Sequence, residues 1–80
     1  MTALKQYDLV RICQILRPPH DYDGWRLNKH TPQVGEVGTL VDILQAPGLP
    51  DHYVVECTAS DGGTVWLSEF LAEELEPDDT

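Results

Sequence analysis

The sequence predicts an all-β fold: a small, strongly bent, five-stranded antiparallel barrel with a long first loop. No segment shows the apolar spacing of a helix of ordinary length, whereas several short runs alternate or are rich in β-branched residues, as strands are. Clusters of proline, glycine and aspartate separate these runs and predict turns. Because 80 residues suit one core, we expect a single domain over 1–80, ordered over about 7–77.

The first strand is expected within residues 7–16, YDLVRICQIL, with Val10 and Ile12 on the core side. The proline pair at 18–19 ends this strand, because proline removes a backbone donor and fixes φ. The residues that follow, 18–33, form a loop long enough that we expect a functional role for it.

The other expected elements are strands at 35–44, 53–59 and 64–70, then one helical turn and a short last strand within 71–77. Gly38 lies inside the second strand, where glycine is typical of a bulge or a bend. The SDGG segment at 60–63 predicts a hairpin turn, since Asp-Gly and Gly-Gly tolerate positive φ. The glycines assigned to turns or bulges are Gly35, Gly38, Gly62 and Gly63.

Charge is distributed unevenly along the chain. All five lysines and arginines lie in residues 1–34, whereas residues 35–80 carry eleven acids and no base, within a net charge of −9. A nucleic-acid backbone would be repelled by the second part, so nucleic-acid binding is disfavoured. A basic protein partner would be attracted. The alternative is that the acids only keep a small domain soluble.

Location and thiol chemistry follow from what the sequence lacks. The apolar runs are too short for a membrane span, and the N-terminus does not resemble a signal peptide. We therefore expect a cytoplasmic protein that does not contact a membrane. Cys13 and Cys57 form no metal-binding or redox motif, so two buried free thiols are expected, with a disulfide as the alternative.

Metal binding and catalysis are weakly indicated. The candidate metal ligands are His20, Asp21, Asp23 and His30. They are scattered over eleven loop residues and lack the final acid of a calcium loop, so hydrated loop side chains are the simpler interpretation. No nucleophile motif is present, and so small a barrel leaves little room for a cleft. We expect neither cofactor nor enzyme activity.

A protein-binding surface is the favoured interpretation of the aromatic residues. The candidate contact residues are Tyr22, Trp25, Arg26 and Trp66. If Val65 and Leu67 point inward, Trp66 points outward and needs cover from a partner. Alternatively, Trp25 folds its loop onto the domain and covers Trp66. Pairing of two copies through the loop or an open sheet edge is a further expectation.

The segments YDLVRI, VGEVGTLVDIL, YVVEC, DGGTVWL and EELEP resemble SH3-like barrels of small stand-alone bacterial proteins, over residues 7–77. More distantly, the chain is similar to the barrels of the nitrile hydratase β subunit and of the ferredoxin–thioredoxin reductase variable chain. Gly35, Gly38 and Leu40 also resemble a KOW motif, although the basic surface that RNA-binding KOW domains need is missing from 35–80. The resemblance implies a fold and a role in binding another macromolecule.

We therefore expect a non-enzymatic protein-binding module of the bacterial cytoplasm, an acidic regulator that neutralises a basic protein as an antitoxin or immunity protein does. The alternatives are an accessory subunit of a larger enzyme and a metal-binding loop protein.

Overall fold

A computed structural model describes residues 4–78, which include the expected ordered part; the outermost residues of the expected 1–80 domain lie outside the described residues. The strands are β1 (Leu9–Ile12), β2 (Val37–Leu44), β3 (His52–Thr58), β4 (Thr64–Phe70) and β5 (Leu75–Pro77). Two short 3₁₀ turns, Pro19–Tyr22 and Ala72–Glu74, complete the described part of the chain. The all-β prediction is confirmed.

The five strands form one antiparallel sheet in the order β4-β3-β2-β1-β5. β3 and β4 form the predicted hairpin, closed by a hydrogen bond from Ala59 N–H to the Gly63 carbonyl (2.8 Å). β1 pairs with both β2 and β5, which places residues 10–12 beside residues 75–77. The sheet does not close by pairing β4 with β5, so the word barrel applies only loosely.

The core lies on one face of this bent sheet and takes residues from every strand. It consists of Val10, Ile12, Tyr22, Leu40, Val55, Trp66, Phe70 and Leu75. Val10 and Ile12 point inward as expected.

The outward orientation of Trp66, expected on the condition that Val65 and Leu67 point inward, is wrong. Trp66, Ser68 and Phe70 alternate along β4 and are all fully buried, so they form its core face. Ser68 can lie in the core because its hydroxyl is hydrogen-bonded to the Tyr22 carbonyl, which removes the cost of burying it unpaired.

β1 covers four residues of the range 7–16 within which the first strand was expected. The side chain of Cys13 is exposed, which contradicts the expectation of two buried thiols. The reason is alternation: with Ile12 in the core, the next side chain points the other way. Cys57 is half-buried, and both thiols are free.

The four predicted turn or bulge glycines have different roles. Gly35 and Gly62 have φ of +95° and +87°, in the left-handed region that favours glycine. Gly63 does not have a positive φ. Of the two roles expected of Gly38, a bulge or a bend, the bulge is wrong, because the register shift in β2 lies between Leu40 and Asp42. Gly38 is instead needed for close packing.

Gly38→Ala is expected to lower the free energy of unfolding by about 1–3 kcal/mol, as overpacking does. A Cβ at this position would lie 2.7 Å from both the Glu56 carbonyl oxygen and Val55 Cγ1. Urea denaturation measures the change. The matched control is Gly24→Ala, where a Cβ meets nothing within 4 Å. An equal effect of the two substitutions would contradict the close approach at Gly38.

Candidate functional site

The long loop is anchored to the domain by Tyr22. The 3₁₀ turn Pro19–Tyr22 carries this side chain into the core, where its ring packs against Phe70 with centroids 5.3 Å apart. The guanidinium carbon of Arg17 lies 4.7 Å from the centre of the same ring. Tyr22 is fully buried, so it cannot be the partner-contact residue that the sequence suggested.

The Tyr22 hydroxyl belongs to a hydrogen-bond network around a fully buried carboxylate, that of Glu74. Glu74 accepts hydrogen bonds from the Tyr22 hydroxyl, from the Leu71 N–H (2.8 Å) and from the Leu16 N–H (3.0 Å). Arg17 Nη2 lies 3.4 Å from the same carboxylate. The network connects the start of the long loop to the 3₁₀ turn that precedes β5.

Ionisation follows from these contacts. Burial alone raises the pKa of Glu74, but the hydrogen bonds from Tyr22, Leu71 and Leu16 and the charge of Arg17 outweigh it and hold the pKa below its ordinary value. Burial and the hydrogen bond to Glu74 raise the pKa of Tyr22. Glu74 is thus an ionised carboxylate and Tyr22 a neutral donor, an arrangement that suits structural support.

The same loop covers the outer edge of β4. The Lys29 N–H donates to the Val65 carbonyl (2.8 Å), and the Leu67 N–H donates to Asn28 Oδ1 (3.0 Å). Arg17 Nη2 donates to the Glu69 carbonyl at 2.5 Å. Three of the backbone groups that another strand would need are therefore already bonded within the chain.

Of the three remaining candidate contact residues, the two in the long loop are exposed and the one on β4 is buried. Trp25 is 40% exposed, and Arg26 is exposed in a left-handed conformation with φ of 57°. Trp66 packs edge-on against Phe70 (5.7 Å) and donates its indole N–H to Glu36 Oε1 (3.2 Å). Tyr22 rather than Trp25 is the anchor of the loop, and Trp25 and Arg26 are the predicted contact residues that a partner can reach.

The weak metal-ligand candidates do not come together as one site among the described residues. His20 Nε2 lies 3.3 Å from Asp21 Oδ1, and His30 Nε2 lies 2.9 Å from Glu36 Oε2. Within residues 4–78, no group of three or more histidine, cysteine, aspartate or glutamate side chains is placed to hold a metal ion.

A second surface was not foreseen from the sequence. We call it the outer sheet face, meaning the side of β2, β3 and β4 that faces away from the core. It is formed by Asp42, Leu44, His52, Val54, Glu56, Leu67 and Glu69. Val54 is buried although it lies outside the core cluster, so this face has apolar packing of its own.

One end of the outer sheet face opens into a pocket of about 190 Å³. Its lining includes Leu44, Ala46, Leu49, Pro50, His52 and Glu69. Leu44 and Leu49 are 41% and 66% exposed. His52 Nδ1 lies 2.9 Å from Glu69 Oε1, so the lining combines this polar pair with apolar side chains. The sequence signal that could have revealed this pocket is a leucine in the turn, Leu49, that closely follows a leucine at the end of a strand, Leu44.

Charge on this side of the molecule is one-sided. Among the described residues, Asp42, Asp51 and Glu56 make no ion pair, and no lysine or arginine occurs in 35–80. Arg11 is held by Glu76 (3.4 Å) and Asp78, on β5 and just beyond it. The outer sheet face therefore combines exposed Leu44, with Leu49 beside it, with the carboxylates of Asp42 and Glu56, which make no ion pair with a described lysine or arginine.

The comparisons with known proteins add no relative. No family model, no curated protein and no solved structure matches the chain. Among residues 4–78, no helix has the length and apolar character needed to cross a bilayer.

Glu74→Gln is expected to lower the free energy of unfolding at pH 7 by about 3 kcal/mol, because a buried charge network loses its centre. Since the folded-state pKa of Glu74 is lowered from 4.5, its contribution is present above that pH and is lost as the pH falls through the folded-state value. Denaturation at a series of pH values measures both effects. The control is the exposed neighbour, Glu73→Gln, which should keep the acid-induced loss. Unaltered stability of Glu74→Gln would contradict the network.

Tyr22→Phe should cost about 1–3 kcal/mol, because it removes the donor to Glu74 and the acceptor of the Arg17 N–H (3.1 Å) while keeping the buried ring. Thermal unfolding followed by circular dichroism tests this. Tyr7→Phe is the matched control, since Tyr7 is 72% exposed. Equal melting temperatures for the two variants would show that the hydroxyl of Tyr22 adds nothing to the anchor.

Proposed function

We propose that this chain is a non-enzymatic protein-binding domain that recognises a basic protein through its acidic outer sheet face. The observation that carries the proposal is that exposed Leu44 and Leu49 lie beside carboxylates at that face, in a segment of the chain, 35–80, that contains no lysine or arginine. Apolar contacts stabilise a complex, while unpaired charges of one sign select a partner of the opposite sign and speed the encounter.

The biological form we favour is a small regulator that neutralises a basic protein in the bacterial cytoplasm, in the manner of an antitoxin or immunity protein. Its support is the net charge of −9 on 80 residues, which creates a field that attracts cationic surfaces. The SH3-like relationship belongs to the same proposal. It is supported by the five short antiparallel strands and by the segments quoted above.

The layout of the fold also limits how two copies of the chain can associate. The long loop covers the β4 edge, and β5 ends with Pro77, which has no N–H to offer a further strand. Edge-to-edge pairing is therefore disfavoured, and the negative charge of both copies opposes face-to-face pairing. We propose that the functional contact is with a different protein.

Partner capture is the first test. The folded domain, immobilised through its N-terminus, should retain from a lysate of its host a protein of net positive charge, identified by mass spectrometry. Retention should fall in the variant Asp42→Asn/Asp51→Asn/Glu56→Gln. Asparagine at 42 and 51 and glutamine at 56 keep a side-chain oxygen for the hydrogen bonds that these residues accept within the chain.

Kinetics on the purified pair then test the role of charge. The association rate constant should fall steeply with salt and should be about tenfold lower for the triple variant at low ionic strength, because the steering field is weakened. Trp25→Ala is the control, since an uncharged ring contributes nothing to steering. Surface plasmon resonance measures the association rate constant of the parent domain and of each variant. A captured partner that is acidic, or an association rate independent of salt, would reject the proposal.

A further inference from the structure

We infer that the pocket at the end of the outer sheet face is a docking site for one apolar side chain, presented by a partner segment in which lysine or arginine flanks that side chain. This inference rests on the proposed function and specifies where, and through which chemistry, the partner would bind. It assigns the exposed leucines of the β2–β3 connection to recognition.

The size and lining of the pocket favour a single side chain. Its volume of about 190 Å³ is below the roughly 300–1,000 Å³ of sites that enclose a drug-sized molecule. Leu44, Ala46, Leu49 and Pro50 supply apolar wall, and the two leucines remain exposed when the pocket is empty. A leucine-sized side chain entering the pocket would remove apolar surface on both partners from water.

The turn that forms part of the pocket is hydrogen-bonded within the chain. The Leu49 N–H donates to the Ala46 carbonyl (3.1 Å), and Gly48 between them has φ of +77°. The side chain of Gln45 reaches Asp51 Oδ2 at 3.3 Å, which joins the two ends of the connection. Because these bonds are made within the chain, little ordering cost remains for binding.

Charge complementarity selects the flanking residues of the occupant. Glu69 lies in the pocket wall, where His52 contacts one of its two carboxylate oxygens, Asp51 follows Pro50 directly, and Asp42 stands opposite Val54 on the same face. A cationic residue on either side of the inserted side chain would therefore meet a carboxylate, whereas an acidic residue would be repelled. A second copy of this chain is disfavoured as the occupant for that reason, because it carries the same excess of acids.

Three blocked pentapeptides test the inference directly. Each has a central residue between two pairs of charged residues: leucine between lysines, alanine between lysines, and leucine between glutamates. Titration of the ¹⁵N-labelled domain, followed by amide chemical shifts, reports both the site and the affinity. The leucine–lysine peptide should shift the amide signals of Glu69 and of the non-proline residues within 44–52. The alanine peptide should bind about tenfold more weakly, and the glutamate peptide should not bind.

Two variants test whether the leucine–lysine peptide binds at the pocket. Leu49→Ser should weaken the leucine–lysine peptide about tenfold, whereas Leu27→Ser should leave its affinity unchanged. Leu27 is 54% exposed in the long loop and is therefore a matched control for the loss of a surface leucine. Both residues are exposed, so we expect both variants to fold, and the amide spectra show this directly.

The possible results separate this inference from the proposed function. Equal binding of the leucine–lysine and alanine–lysine peptides, with shifts spread over the carboxylates, would overturn the pocket inference and leave an acidic protein-binding face. Equal binding of the lysine and glutamate peptides would overturn the charge requirement. Absence of binding by all three peptides, with retention of the captured partner unaffected by Leu49→Ser, would also reject the pocket. Failure to capture any basic partner would reject the proposed function itself.

Discussion

The hydrogen bonds to the buried carboxylate of Glu74 are the interaction on which the rest of the described structure depends. A charge at such a position is costly unless every oxygen finds donors, and here the Tyr22 hydroxyl, two backbone N–H groups and Arg17 supply them. The donors come from the chain before the long loop, from the loop itself and from the turn before β5. Satisfying this one group therefore fixes the start of the long loop against the turn before β5, although Tyr22 and Glu74 are 52 positions apart in the sequence.

Closure of the β4 edge follows from the same network. Arg17, which pairs with Glu74, also bonds the Glu69 carbonyl on the edge of β4, and Tyr22 brings the loop to the core in front of that strand. Asn28 and Lys29 continue the cover along Val65 and Leu67. A sheet that does not close on itself would otherwise expose a strand edge, which is a site of aggregation. In this protein the long loop covers the β4 edge that pairing with β5 would cover in a closed barrel.

The sequence revealed local features better than distant ones. β4 has the predicted bounds, and a 3₁₀ turn followed by a last strand lies within 71–77, because hairpin glycines and alternation are local signals. The side of β4 that faces the core was ambiguous, since Val65 and Leu67 on one face compete with Trp66 and Phe70 on the other.

The decisive partners of β4 and of the loop are distant along the chain. Ser68 accompanies Trp66 into the core because the Tyr22 carbonyl, 46 positions away, accepts its hydroxyl. Glu74 and Tyr22 are separated by 52 positions, and no local pattern marks a glutamate that will be buried. The pocket joins residues of one turn to Glu69 on another strand, so it becomes visible only once strand register is known.

These constraints explain why recognition would fall on the outer sheet face. The inner face is filled by the core, the β4 edge is occupied by the loop, and β5 ends at a proline. Arg11 and Arg17, which could offset the acids, are engaged with carboxylates at or near β5. Folding thus leaves the carboxylates of β2 and β3 without basic neighbours and leaves Leu44 and Leu49 uncovered. Since a cationic segment with one apolar residue complements both features at once, the stability of the fold and the proposed choice of partner have a common origin in where the chain places its few bases.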